Sequence, residues 1–116
     1  MIRLAFAAAL SVAALAASPV LAADGAQLFA MQCKMCHATA GSPMAPSLAG
    51  VAGSKIASKG FAYSPALKAK GGVWTDANLD AFLKMPSAFA PGTKMMISVP
   101  SDPNRAALVG YLKTLK

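Results

Sequence analysis

Five consecutive residues, Cys33-Lys34-Met35-Cys36-His37, hold both cysteines and the only histidine of the chain. On a helical turn, residues three apart share a face, so both thiols can reach one flat partner from the same side. The residue that follows then offers its imidazole to the centre of that partner. Two other uses of such a pair are open. A vicinal redox dithiol of the thioredoxin type needs a strand before it and a βαβ frame after it. The segment before Cys33 reads as helix, and no such frame follows. A soft-metal thiol site, as in a copper carrier, would recruit methionine, but it gives no role to a histidine adjacent to the pair.

Cys-x-x-Cys-His is the attachment signature of c-type haem. Each thiol adds to one vinyl group, which makes two thioethers, and His37 turns its imidazole to the iron from the proximal side. A group of that size also answers a packing problem. Residues 23–116 are 94 in number, a length at which hydrophobic burial alone is marginal. Their loops are long for a compact domain unless something organises them.

Residues 1–22 have the parts of a secretory signal. Arg3 is the positive start, Leu4–Leu10 and Val12–Ala17 are apolar, Ser18-Pro19 breaks the helix, and Val20-Leu21-Ala22 suits a cleavage site. Cleavage after Ala22 is expected, which would place the mature chain in the periplasm. The apolar run falls short of the ~20 residues that span a bilayer, so no stable membrane insertion is expected. Removal of Arg3 leaves ten Lys and Arg against four Asp, a net charge of +6. Such a domain is steered toward acidic partners. The lysines are dispersed and the chain is expected to be exported, so nucleic acid is not an expected partner. A chain of 116 residues also excludes a multidomain enzyme.

Asp24 is an N-cap for a helix over 25–36. Residues 38–53 are loop, punctuated by Gly41, Pro43, Pro46, Gly50 and Gly53. Ser64-Pro65 opens a short helix 65–70 that Gly71-Gly72 ends. Thr75 caps a helix over 76–85 with Leu79, Phe82 and Leu83 inward, and Pro86 ends it. Residues 87–100 are expected to be extended. Asp102-Pro103 repeats the cap-and-proline device before a last helix, 103–115, with Leu108, Tyr111, Leu112 and Leu115 on one stripe. No strand-period segment of useful length occurs. The expected fold is all-α, with about four helices and long loops wrapped around one covalent haem.

Haem iron held by one histidine keeps a second axial position. Without a second histidine, the candidates are Met31, Met35, Met44, Met85, Met95 and Met96. Most methionines are core filler. Met95 follows Pro91-Gly92-Thr93-Lys94, a turn on a loop between helices that can present a side chain to a flat face. Met44, between Pro43 and Pro46, is the rival, and Met96 points the other way if the segment is extended.

Together these residues resemble the small class I cytochromes c of mitochondria and the bacterial periplasm. The likeness rests on Gly25, Phe29, Cys33-x-x-Cys36-His37, Pro46-x-Leu48-x-Gly50-x-x-Gly53, Gly60-Phe61-x-Tyr63, Trp74, Pro86, Pro91-Gly92-Thr93-Lys94-Met95 and Tyr111-Leu112. The resemblance implies haem c held by Cys33 and Cys36, with His37 proximal and Met95 distal. It implies that the Pro46 carbonyl accepts the other His37 N–H. It places Tyr63 and Trp74 at a haem propionate, puts Thr93 in the pocket, and packs Gly25 and Phe29 against Leu108 and Tyr111. The chain departs from the mitochondrial pattern in a shorter loop from His37 to Pro46. Ser54, Leu67 and Phe82 also stand where that pattern often has Arg, Asn and Tyr.

The implied activity is one-electron transfer, with no catalytic residue. The implied partners are acidic-surfaced redox proteins, such as membrane oxidase or reductase complexes and periplasmic dehydrogenases. The chain is expected to be a monomer. Lys94, with Lys34, Lys55 and Lys84, is the candidate docking rim. A haem enzyme or sensor with an open iron, and a subunit of a larger complex, are the rival readings.

Overall fold

A computed structural model describes residues 24–116, so the expected signal segment lies outside the described residues. Of the five helices of the described residues, four start at a side chain that caps them. In α1 (Gly25–Gln32), Asp24 accepts from the Ala26 N–H. Ser64 accepts from Leu67 at the start of α2 (Pro65–Lys70), and Thr75 from Asn78 at the start of α3 (Asp76–Lys84). Each cap satisfies a donor that the first turn would leave unpaired.

Several boundaries differ from those expected, the smallest difference being at α3, which ends at Lys84 and not at 85. α1 stops at Gln32, because the Lys34 N–H reaches back to the Phe29 carbonyl that also receives Cys33, and this wrap ends the ladder. Residues 33–36 are a separate turn. Pro86 ends α3 but also opens α4 (Pro86–Phe89) inside the stretch expected to be extended. Its fixed φ and missing N–H suit a first helical turn as well as a stop. In α5 (Asp102–Leu112) the N-cap is Ser101, not Asp102, and the helix closes three residues early.

Among the described residues no strand forms beyond one isolated antiparallel bridge, Lys55 with Val73. Around it Trp74 N–H bonds Ser54 O at 2.8 Å, and Gly53 N–H bonds Trp74 O at 2.9 Å. This pairing joins the 53–56 loop to the start of α3 and fixes the backbone from which Trp74 projects.

α1 and α5 cross at the centre. Leu28 and Phe29 pack against Leu108 and Leu112, and Leu108 is 1 % exposed. The rings of Phe29 and Tyr111 lie 5.1 Å apart. A Cβ on Gly25 would lie 2.3 Å from the Ala107 carbonyl oxygen, so the crossing requires a residue without one. The Gly50 N–H also donates to the Leu115 carbonyl, which ties the loop after His37 to the chain end.

Candidate functional site

Cys33 and Cys36 lie on the turn that leaves α1. The His37 N–H bonds the Cys33 carbonyl at 2.8 Å, and Cys36 N–H the same carbonyl at 3.2 Å, so three side chains of the motif are presented from one tight turn. His37 Nδ1 lies 2.9 Å from the Pro46 carbonyl oxygen. A carbonyl can only accept, so a proton is on Nδ1, and in the neutral tautomer with that proton Nε2 is the nitrogen that offers a lone pair to a metal. The loop from 38 to 45 is held from within. Ser42 Oγ donates to Cys36 O at 2.8 Å and accepts from Met44 and Ala45 N–H groups.

These groups open on a cavity of about 360 Å³. Cys33, Cys36, His37, Pro46, Tyr63, Trp74, Thr93 and Met95 all line it, so every residue expected at the site converges there. Leu67, Leu79 and Phe82 give it apolar walls, and Trp74 packs on Phe82 with centroids 5.2 Å apart. Tyr63 Oη accepts from the Lys59 N–H at 3.0 Å, which leaves the phenol proton free to be donated. Burial pushes the Tyr63 hydroxyl above its ordinary range, opposed by that bond. Trp74 and Thr93 are buried.

Of the six candidate methionines, five are exposed: Met31, Met35, Met44, Met85 and Met96, the last at 87 %. Met95 alone is partly buried and packed against the core. Met44 and Met96 also border the cavity, but from its outer edge.

The dithiol alternative fails on chemistry. A redox-active cysteine needs a lowered pKa, as at a helix N-terminus. Cys33 caps the C-terminal end of α1, and burial pushes its thiol up. A pair of half-buried thiols beside an imidazole, facing an apolar cavity that a thioether also reaches, suits covalent haem.

The cytochrome c family model matches residues 22–116. The chain belongs to the cytochrome c family. Cytochrome c of Tetrahymena pyriformis is 45% identical over 96 residues, covering 81% of this chain and 88% of that one. Cytochrome c2 of Rhodomicrobium vannielii is 41% identical over 95 residues, covering 78% of this chain and 75% of its own. Among solved structures, cytochrome cH from Methylobacterium extorquens superposes with a TM-score of 0.72 at 41% identity, covering 80% of this chain and 97% of that one. This is a class I c-type cytochrome with the all-α fold of its relatives. Its cofactor is covalent haem c, and it is an electron carrier rather than an enzyme.

Around the cavity the charges are of one sign. Lys55, Lys59 and Lys94 border it, and no acid does. Asp76, Asp80 and Asp102 all lie on α3 and α5, paired with Lys113 or Arg105. Two of the rim lysines are tied down. Lys94 Nζ donates to the Ala62 carbonyl at 2.6 Å and lies 5.4 Å from the Phe61 ring centre, and Lys59 Nζ donates to Ala49 O at 2.7 Å. Lys34, Lys55 and Lys84 make no hydrogen bond or ion pair of this kind among the described residues.

Sequence reasoning passed over Arg105. Its signal was its position, three and seven residues before Leu108 and Leu112, which puts it on the buried stripe of α5. It is also the one Arg of the described residues, whose other basic side chains are Lys and His37.

Proposed function

We propose that this chain is a monomeric periplasmic electron carrier in which Cys33 and Cys36 hold the haem as thioethers. His37 is its proximal ligand and Met95 its distal ligand. The haem supplies the one-electron couple between Fe(III) and Fe(II). Pro46 holds His37 in the tautomer that exposes Nε2. His37 and Met95 together leave no axial position open to oxygen, and a neutral thioether from Met95 favours the reduced state and a raised potential. Tyr63 and Trp74 offer hydrogen-bond donors to a propionate, Thr93 lines the pocket, and the apolar walls keep water from the metal. Residues 1–22 are the cleavable export signal, and 23–116 the mature domain. No helix of the described residues is long and apolar enough to cross a membrane.

The burial of Met95, against the exposure of the five other candidate methionines, carries the ligand assignment. The haem-loaded proteins with Met95→Ala and with Met96→Ala test it. Low-spin ferric character should be lost in the first and kept in the second. The opposite pattern, or no change in either, refutes the assignment.

The lysine-bordered cavity supports docking on acidic surfaces of redox proteins. Such contacts are small and weaken as salt screens them. Reduction rates with a partner should therefore fall as ionic strength rises, and rates insensitive to salt would remove the docking role.

A further inference from the structure

Arg105 is 3 % exposed, yet all of its guanidinium nitrogens are engaged. Nε donates to Asp80 Oδ1 on α3 at 2.8 Å, and one Nη donates to Asp102 at the start of its own helix. The other Nη reaches the carbonyl oxygens of Val99 at 2.9 Å and Pro100 at 2.8 Å. Those two carbonyls close the segment 90–100, which carries Met95. That segment has little backbone bonding of its own. Beyond its first residue, only Thr93 N–H, to Ala90 O, and Val99 N–H, to Leu83 O, donate to main-chain acceptors.

A staple between α3 and α5 would need only the bond to Asp80. Apolar side chains would do that work without burying a charge, and buried ion pairs are commonly replaceable by packed hydrophobic groups. Two carbonyls gripped by one planar fork are something an apolar side chain cannot supply. We propose that Arg105 is a positioning residue for Met95, holding the end of its segment against α5 through the Val99 and Pro100 carbonyls so that the thioether stays at the iron. This rests on the reading of Met95 as the distal ligand.

The test uses added imidazole on the oxidised, haem-loaded protein. Imidazole can bind the iron only when Met95 has given way, so its apparent affinity reports the fraction of protein with the segment released. Arg105→Gln should tighten imidazole binding by about tenfold and weaken the Fe(III)–sulfur charge-transfer band, with the helical circular dichroism unchanged. Asp80→Asn cuts the link to α3 but leaves the carbonyl grip, and should change the affinity by less than about twofold. If Asp80→Asn loosens Met95 as much as Arg105→Gln does, Arg105 is an inter-helix staple and the proposal is overturned.

Met95→Ala separates the two readings. If Met95 is the ligand, that variant binds imidazole tightly, and adding Arg105→Gln to it gives no further gain. An equal gain in both backgrounds overturns the positioning role. Should Met95→Ala leave imidazole binding as in the unaltered protein, the ligand assignment is what fails. Should Arg105→Gln not fold, Arg105→Lys, which keeps the charge but not the fork, is expected to bind imidazole more tightly than the unaltered protein, by less than about tenfold. An affinity equal to that of the unaltered protein would then overturn the proposal.

Discussion

The bonds that hold the His37 ring and its turn come from neighbours in sequence, whereas the Met95 segment is tied to distant parts of the fold through Lys94 and Arg105. Pro46 and Ser42 lie within ten residues of the groups they hold. Lys94 reaches across 32 residues to Ala62, Lys70 across 19 to the Phe89 carbonyl, and Arg105 grips Val99 and Pro100 while anchored to α3. A locally wired wall can form as soon as its own loop closes. The other wall exists only when α2, α3 and α5 are in place. The difference predicts that the His37 side is the fixed reference of the site and the Met95 side the part that yields.

Substitutions can break or sharpen this contrast. The largest effect is expected from His37→Ala, which should abolish the low-spin spectrum outright. A low-spin spectrum surviving that change would show that the local wall is not the anchor. Next comes Gly25→Val. A Cβ placed 2.3 Å from backbone cannot be relieved by rotating a side chain, so both walls should suffer together. The loss should reach or exceed the ~1–3 kcal/mol typical of overpacking, read from denaturant midpoints.

Ser42→Ala removes a hydroxyl that makes three bonds within the His37 loop. It should cost about 1 kcal/mol of stability while leaving imidazole binding unchanged. Lys94→Ala should do the reverse: a stability loss below ~1 kcal/mol, because the side chain is exposed, with a measurable gain in imidazole affinity. If these two variants behaved alike, the contrast between the walls would collapse.

The smallest effect concerns pH. Burial holds the Tyr63 hydroxyl above its ordinary value of 10.0, so the unfolded chain loses that proton first. Stability should therefore fall as pH rises past 10.0, and Tyr63→Phe should make that fall shallower, measured as unfolding midpoints against pH.

The same contrast explains what could be read from the sequence. Ser64-Pro65 and Thr75 announced α2 and α3, because a cap needs only its own next three residues. The Cys33–His37 motif and the bond from His37 to Pro46 are likewise matters of short spacing. Pro86 was ambiguous because one proline both stops α3 and starts α4. The bridge between Lys55 and Val73 left no alternating pattern, since two isolated residues cannot show a period. Arg105 stood in plain view on an apolar stripe, but its acceptors are main-chain oxygens, and carbonyls carry no letter in a sequence.

The crossing at Gly25 sets the order of construction. The thiols are in the first third of the polypeptide, and α5, which closes over α1, is in its last fifteen residues. If residues 1–22 export the chain as proposed, a polypeptide threading through a translocation channel releases that closing segment after the thiols. Until then no lid can shut over Cys33 and Cys36, and they remain open to any enzyme that must reach them.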